Sequence, residues 1–129
     1  MAAEALSPTG LRGPHRGRPG EDLACEHLTR KGLRILERNF RCRVGEIDVV
    51  ADDHGTLVFV EVKERRGDSH GTAVEAVTAQ KRRRVVRAAR IYAASRGLSE
   101  RAVRFDVVAI DWGPEGPRLR HDEGAFAAA

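Results

Sequence analysis

Three ionisable residues stand where buried strands would prefer apolar side chains: Asp48 in the run GEIDVVADD, and Glu61 and Lys63 in LVFVEVKER. Strand side chains alternate between faces, so Glu61 and Lys63 share one side, with Leu57 and Phe59 behind them. His54-Gly55 reads as a two-residue hairpin loop, with Gly55 taking the positive φ that such turns require. Asp53 then opposes Thr56, and counting back sets Asp48 opposite Glu61 and Glu46 opposite Lys63. Directly opposed residues point to one face with Cβ atoms about 4.5–5.5 Å apart. Two carboxylates at that separation repel unless a cation lies between them or one takes up a proton. A divalent cation resolves this economically, and all-oxygen ligation favours Mg²⁺ or Mn²⁺. Beside such a site Lys63 can hold a scissile phosphate or orient an attacking water, whose pKa the cation lowers. The plainer reading is a solvated hairpin face with a Glu46–Lys63 ion pair. Two features weigh against it: both strands are apolar on both faces around the charges, and lysine is the rare basic residue here, three against twenty arginines. An ammonium in an arginine-dominated chain hints at a site that needs a compact charge.

The elements that must position these residues follow from periodicity. Residues 20–31 turn helical, with Glu21, Ala24, Cys25 and Leu28 on one face and Gly32 as the stop. Glu21 shares the stripe of Ala24 and Leu28, so it points toward a sheet, as a third ligand or as a first-turn charge favoured by the helix dipole. Strands are expected over residues 33–40, 44–51, 57–63 and 103–111, with a turn over 113–117 and a short edge strand over 118–121. Residues 65–73 (RRGDSHGTA) read as a polar loop. Residues 74–95 read as a helix with a stripe through Val74, Val77, Thr78, Lys81, Val85, Ala88 and Tyr92, ended by Gly97. The order α-β-β-β-α-β plus a short final strand predicts an α/β (α+β) fold: a meander and a strand–helix–strand crossover in a mixed central sheet flanked by helices.

With 129 residues, 41% apolar and 33% charged, the chain fits one domain. Residues 1–19, rich in Pro, Gly and Arg, read as a disordered basic tail, residues 20–126 as a single domain, and 127–129 as frayed. No run approaches the roughly 20 apolar residues of a membrane helix. The first twenty residues hold no apolar segment of a secretory signal, so a cytoplasmic protein is expected. Cys25 and Cys42 form no CxxC pair, which excludes a zinc ribbon and reads as two reduced thiols partly in the core.

Several of these runs together carry a resemblance. GEDLACEHL, RNFRCRVGEIDVVADD, LVFVEVKER and VRFDVVAID, in this order and spacing, resemble the YraN-like family, also called UPF0102, over roughly residues 17–126. That family is similar to Holliday-junction resolvases and restriction endonucleases of the PD-(D/E)XK type. The resemblance implies a restriction-endonuclease-like core and a Mg²⁺- or Mn²⁺-dependent DNA endonuclease. Asp48 matches the first acid, Glu61 and Lys63 the E-x-K pair, and Glu21 the helix-one acid of resolvase-like members. The residue before the first acid is Ile47 rather than proline. Gln80-Lys81 falls where related nucleases often present a polar residue on a helix.

A net charge of +4 permits an anionic partner. Arg83, Arg87 and Arg90, following Lys81, make a ridge able to contact successive phosphates, although an arginine-rich face is also an ordinary solvated surface. Arg65 and Arg66 after the E-x-K strand, and Arg38, Asn39, Arg41 and Arg43 before the first acid, are further candidates for nucleic acid or for capping strands. The six aromatics sit in apolar patterns, so duplex or branched DNA is the expected partner rather than stacked single strands. Asp106 reads as a structural acid bonded to arginine or backbone, and His70 is the one histidine placed near the chemistry. Cutting two strands symmetrically wants two sites, so a homodimer is an expectation. Two other classes compete: a non-catalytic nucleic-acid-binding module with the same fold, and an interaction protein docking an acidic partner on the arginine helix.

Overall fold

The computed structural model describes residues 18–66 and 77–128. Among the described residues two helices and five strands follow in the order α1 (Pro19–Arg30), β1 (Arg34–Cys42), β2 (Gly45–Asp53), β3 (Thr56–Arg66), α2 (Ala79–Ser95), β4 (Val103–Gly113) and β5 (Gly116–Phe126). They form one α+β unit around a mixed sheet of order β1-β2-β3-β4-β5. Only β3 and β4 run parallel. That pairing requires a crossover, and α2 supplies it.

Each helix covers one face of the sheet. On the α1 side Ala24 and Leu28 pack on Val49, Ala51, Val58, Val60, Val108 and Ile110. On the α2 side Val85, Val86, Ala88, Ala89, Tyr92 and Ala93 pack on Ile47, Val50, Leu57, Phe59 and Phe105. Five of the six aromatics stack through this second layer, Phe40 and Phe59 edge-on to Tyr92, and Phe59, Phe105 and Phe126 face to face. Both central strands are therefore apolar on both faces, as their composition requires. Among the described residues no helix is long and apolar enough to cross a membrane.

The helices begin where their caps dictate. Pro19 occupies the first turn of α1, where its missing N–H costs nothing, followed by Glu21 and Asp22 against the positive end of the dipole. The expected tail thus yields Pro19 to the helix, and residues 1–17 lie outside the described ones. Helix α2 starts at Ala79, later than the expected Val74. Thr78 is extended (φ −67°, ψ 163°), and its side chain accepts the Lys81 amide, making a cap that ends the run from Val77. Arg65 and Arg66 belong to β3 rather than to the following loop. The last strand runs eleven residues rather than four. Its register against β4 shifts between Phe105 and Val107, and Gly124 absorbs the irregularity at φ +60°. Strand β1 carries a matching irregularity between Ile35 and Glu37.

The β2–β3 hairpin has the expected two-residue loop, with Asp53 opposite Thr56 and positive φ at both His54 (52°) and Gly55 (101°). This is the twist-matched turn in which a glycine at the second position is favoured. Gly55→Ala is expected to lower stability by about 1 kcal/mol through left-handed strain alone, since a Cβ there meets open space. Chemical denaturation checks this, with an unchanged midpoint as the contrary result.

Candidate active site

The hairpin ladder holds from Asp53↔Thr56 to Val49↔Val60 and stops one pair short of Asp48 and Glu61. There the Asp48 side chain replaces the ladder: its Oδ2 accepts the Val62 amide at 2.8 Å. A break in the pleat at the same level explains the change. Along β1, Arg38 packs toward α1, whereas Phe40, two residues on, packs toward α2. Along β2, Val49 faces α1 and Ile47 faces α2. Strict alternation forbids both observations. The step is taken by Asn39, held at φ 55°, and by Asp48 beside it, with paired register equal on either side. Asparagine tolerates that left-handed conformation better than other non-glycine residues.

Glu61 is buried, and its Oε2 lies 3.3 Å from the Lys81 ammonium on the first turn of α2. Burial pushes the Asp48 carboxyl up to about 7, and the charge of Glu61 adds to the rise against the opposing Val62 amide. Burial likewise raises Glu61, against the pull of Lys81 and Lys63. Both carboxyls are raised mainly by loss of water, and Glu61 adds to the rise at Asp48. In each, one oxygen is engaged and the other accepts no hydrogen bond among the described residues. A buried and a half-buried acceptor, each left without a donor among the described residues, fit a cation better than a plain solvated face. Lys63 lies on the Glu61 side of β3 and makes no hydrogen bond or ion pair among the described residues.

Glu21 is brought to the same neighbourhood, buried and near enough to raise the Asp48 carboxyl. Its Oε1, however, accepts from Arg38 at 3.1 Å and from Asn39 at 2.7 Å. Asn39 also donates to the Asp48 carbonyl at 3.4 Å. Glu21 thus anchors α1 to the pleat break that presents Asp48, and Arg38 and Asn39 are its partners. Among the described residues no three His, Cys, Asp or Glu side chains are assembled as a metal-holding group.

Other expected residues fall elsewhere. Glu46 does not pair with Lys63, because its Oε2 lies 3.4 Å from Arg41 across the β1–β2 end. That exposed pair also occupies Arg41, while Arg43 is exposed in the adjoining turn. Arg66 lies over the Trp112 ring at 5.1 Å, and Arg65 precedes it in β3. Arg83 and Arg87 are exposed on α2. His70 lies outside the described residues. Asp106, fully buried, is structural as read: it accepts from Arg104 through both oxygens, from His121 at 2.7 Å and from the Gly124 amide at 3.0 Å. Both cysteines are free, and burial pushes the Cys25 thiol up to about 12, which leaves it unreactive.

The residue missed as a partner of the acids is Lys81, which sequence reasoning assigned to phosphate contact. Its signal was present, since it lies on the inward stripe of α2 and is one of only three lysines. Asn39 and Arg38 carried a weaker signal, as polar residues in the middle of a strand.

Comparison with known proteins agrees on kinship. The chain is 52% identical over 113 residues to a UPF0102 protein of Symbiobacterium thermophilum, covering 87% of this chain and 96% of that one. It is 49% identical over 110 residues to one from Syntrophotalea carbinolica, covering 85% and 89%. A third, from Geobacter sulfurreducens, is 48% identical over 111 residues, covering 85% and 87%. The model of the uncharacterised protein family UPF0102 matches residues 20–110, from the start of α1 through the acid pair and α2 to β4. With the family matched across the whole site-bearing core, the chain belongs to UPF0102.

Proposed function

We propose that this protein is a divalent-cation-dependent nuclease that hydrolyses phosphodiester bonds in DNA, with Mg²⁺ or Mn²⁺ held by Asp48 and Glu61. The observation that carries the reading is the half-buried Asp48 and the buried Glu61 close enough for their charges to interact, each with an oxygen that accepts no hydrogen bond among the described residues, beside two of the chain's three lysines. A site of this kind is destabilising in isolation and gains its sense from a ligand of opposite charge. A bound cation would supply the charge that lowers the pKa of an attacking water and offsets negative charge building on the phosphoryl oxygens. The protein's own contribution is positioning. The Val62 amide fixes the Asp48 carboxylate, and the Arg38–Glu21–Asn39 cluster fixes the strand break beneath it. Lys63, uncommitted among the described residues, holds a non-bridging phosphate oxygen or the water. Lys81 offsets the charge of Glu61 while no cation is present.

The test is cleavage of labelled linear and branched DNA with Mn²⁺ or Mg²⁺. Asp48→Asn and Lys63→Ala are expected to lower the rate by about 100-fold or more, with unchanged circular dichroism. Cleavage at the wild-type rate by either variant overturns the assignment. The Lys81–Glu61 ion pair favours one other reading, a DNA-binding module whose acids are neutralised from within. That module shows no heat of Mn²⁺ binding and no cleavage, while its DNA affinity still falls with salt.

A further inference from the structure

Helix α2 carries six cations, Lys81, Arg82, Arg83, Arg84, Arg87 and Arg90, and no carboxylate. Elsewhere arginines meet acids: Arg101 on Asp52, Arg96 on Glu37, Arg104 on Asp53 and Asp106, Arg120 on Asp122. Arg83, Arg87 and Arg90 are exposed and make no hydrogen bond or ion pair among the described residues. The first turn of α2 is also charged against its own dipole, with no acid and with Lys81 and Arg82 at the positive end. Such an arrangement weakens the free helix and strengthens its attraction for an anion.

These arginines rim a groove of about 510 Å³ between α2 and the end of β5. Its volume lies within the roughly 300–1,000 Å³ of ordinary ligand pockets. Its floor is apolar, formed by Ala79, Val86 and Phe126. Arg82 is a fixed wall, since its Nε donates to the Val77 carbonyl at 3.1 Å and its guanidinium lies 5.6 Å from the Phe126 ring centre. An apolar floor under a cationic rim matches a chain whose flat faces and charges can turn in opposite directions. A duplex keeps its bases stacked inside and offers only phosphates, whereas an unpaired strand offers both. Arg83, Arg87 and Arg90 span about 10 Å along the helix at roughly 1.5 Å per residue, enough for successive phosphates. Ala79 and Arg82 lie within two residues of Lys81 in the chain, and Lys81 reaches Glu61, so groove and acid pair share the first turns of α2.

We propose that this groove holds an unpaired stretch of nucleic-acid strand, with its phosphates on Arg83, Arg87 and Arg90 and a base on the Ala79–Val86–Phe126 floor, so that the nuclease acts where single-stranded DNA adjoins the scissile bond. This rests on the nuclease reading and narrows its substrate to DNA with an unpaired arm. It departs from the duplex preference drawn from aromatic content alone, because Phe126 is one aromatic that borders a groove.

The experiment measures fluorescence anisotropy of the full chain without divalent cation, on a short single-stranded oligonucleotide, an abasic strand of the same length and a blunt duplex. The wild type is expected to bind the ordinary strand several-fold more tightly than either other probe. Arg83→Ala/Arg87→Ala/Arg90→Ala is expected to lower that affinity about tenfold or more and to flatten the salt dependence by roughly 0.7 per lost contact. Ala79→Glu places a carboxylate on the floor at an exposed first-turn position where acids favour the helix. It is expected to abolish the preference for ordinary over abasic strand with the melting temperature maintained. Equal binding of abasic and ordinary strands by the wild type, or unchanged affinity in the triple variant, overturns the groove. If Mn²⁺-dependent cleavage persists in that case, the nuclease reading stands without it. If the wild type binds no strand and cuts none, both fall.

Discussion

Asp48→Asn is expected to melt at a higher temperature than the wild type at pH 8 without divalent cation, while losing DNA cleavage. The sign follows from the raised carboxyl. Burial, aided by the charge of Glu61, brings Asp48 to about 7 in the folded chain, against about 3.9 in an unfolded one. A raised folded value means that the stability tied to the protonated form is complete below pH about 4. It is lost as pH rises from there to about 7, and stays lost above. Asparagine keeps an oxygen for the Val62 amide and removes the charge that Glu61 opposes. The gain at pH 8 is expected to be on the order of 2 kcal/mol, and each kcal/mol is worth roughly 4–8 °C in a domain near 100 residues. At pH 5 the advantage shrinks sharply, since the wild-type carboxyl is then largely protonated. Saturating Mn²⁺ is expected to lift the wild type by RT ln(1 + [L]/Kd), about 2.7 kcal/mol at a hundredfold excess over Kd, and to lift the variant far less. An Asp48→Asn protein that melts below the wild type at pH 8 would show that the pair is not under strain. Stability exchanged for activity at one side chain is the mark of a functional site.

The opposite behaviour is expected at Asp106. Asp106→Ala removes the acceptor of Arg104, His121 and the Gly124 amide at once. It leaves the His121 imidazole, only 3% exposed, without its acid, and leaves Arg104 with Asp53 alone. Breaking a buried pair from one side costs about 3–5 kcal/mol, and urea unfolding reads it directly. A loss under about 1 kcal/mol would mean the network is ornamental. Burial pushes the Asp106 carboxyl up, but the hydrogen bonds from His121, Arg104 and Gly124 outweigh it and hold the group below the usual range. Its contribution is therefore present above the unfolded value and lost as pH falls. Burial, then the neighbouring His121, lowers His27 as well, so it too withdraws stability in acid. Wild-type stability is thus trimmed from both sides, by Asp106 and His27 toward low pH and by the acid pair toward high pH. The Asp106 network ties β4 and β5 to α1 through the 3.2 Å His121–His27 contact, away from α2. At temperatures where Asp106→Ala is still folded, its cleavage rate is expected to match the wild type.

That Asp48 and Glu61 fall in one neighbourhood was legible because the two-residue His54-Gly55 turn determines the register by counting as far as Val49↔Val60, one pair short of the acids. The structural role of Asp106 was legible from its place in an apolar strand. The pleat break was not, because an alternating pattern carries no sign of a left-handed Asn39. The count therefore ran past the point where the ladder ends and paired Glu46 with the wrong strand. Helix α2 was read too long because Val74 and Val77 continue its period, and periodicity is blind to the Thr78 cap. Strand β5 was read too short because an edge strand buries little, and His121-Asp122-Glu123-Gly124 has the composition of a loop. The partner of Lys81 was hidden for a different reason. A stripe position says which way a side chain faces, and the crossover decides which acid waits there.

The irregularities at the two outermost strands bear on how the molecule behaves when concentrated. Strand β1 is kinked between Ile35 and Glu37 and again turned at Asn39, while β5 is shifted near Gly124 and begins Gly116-Pro117. An incoming strand meets broken rows of donors and acceptors on either margin, flanked by Arg34, Arg41, Arg118 and Arg120. Self-templated growth of the sheet is thereby disfavoured at both margins.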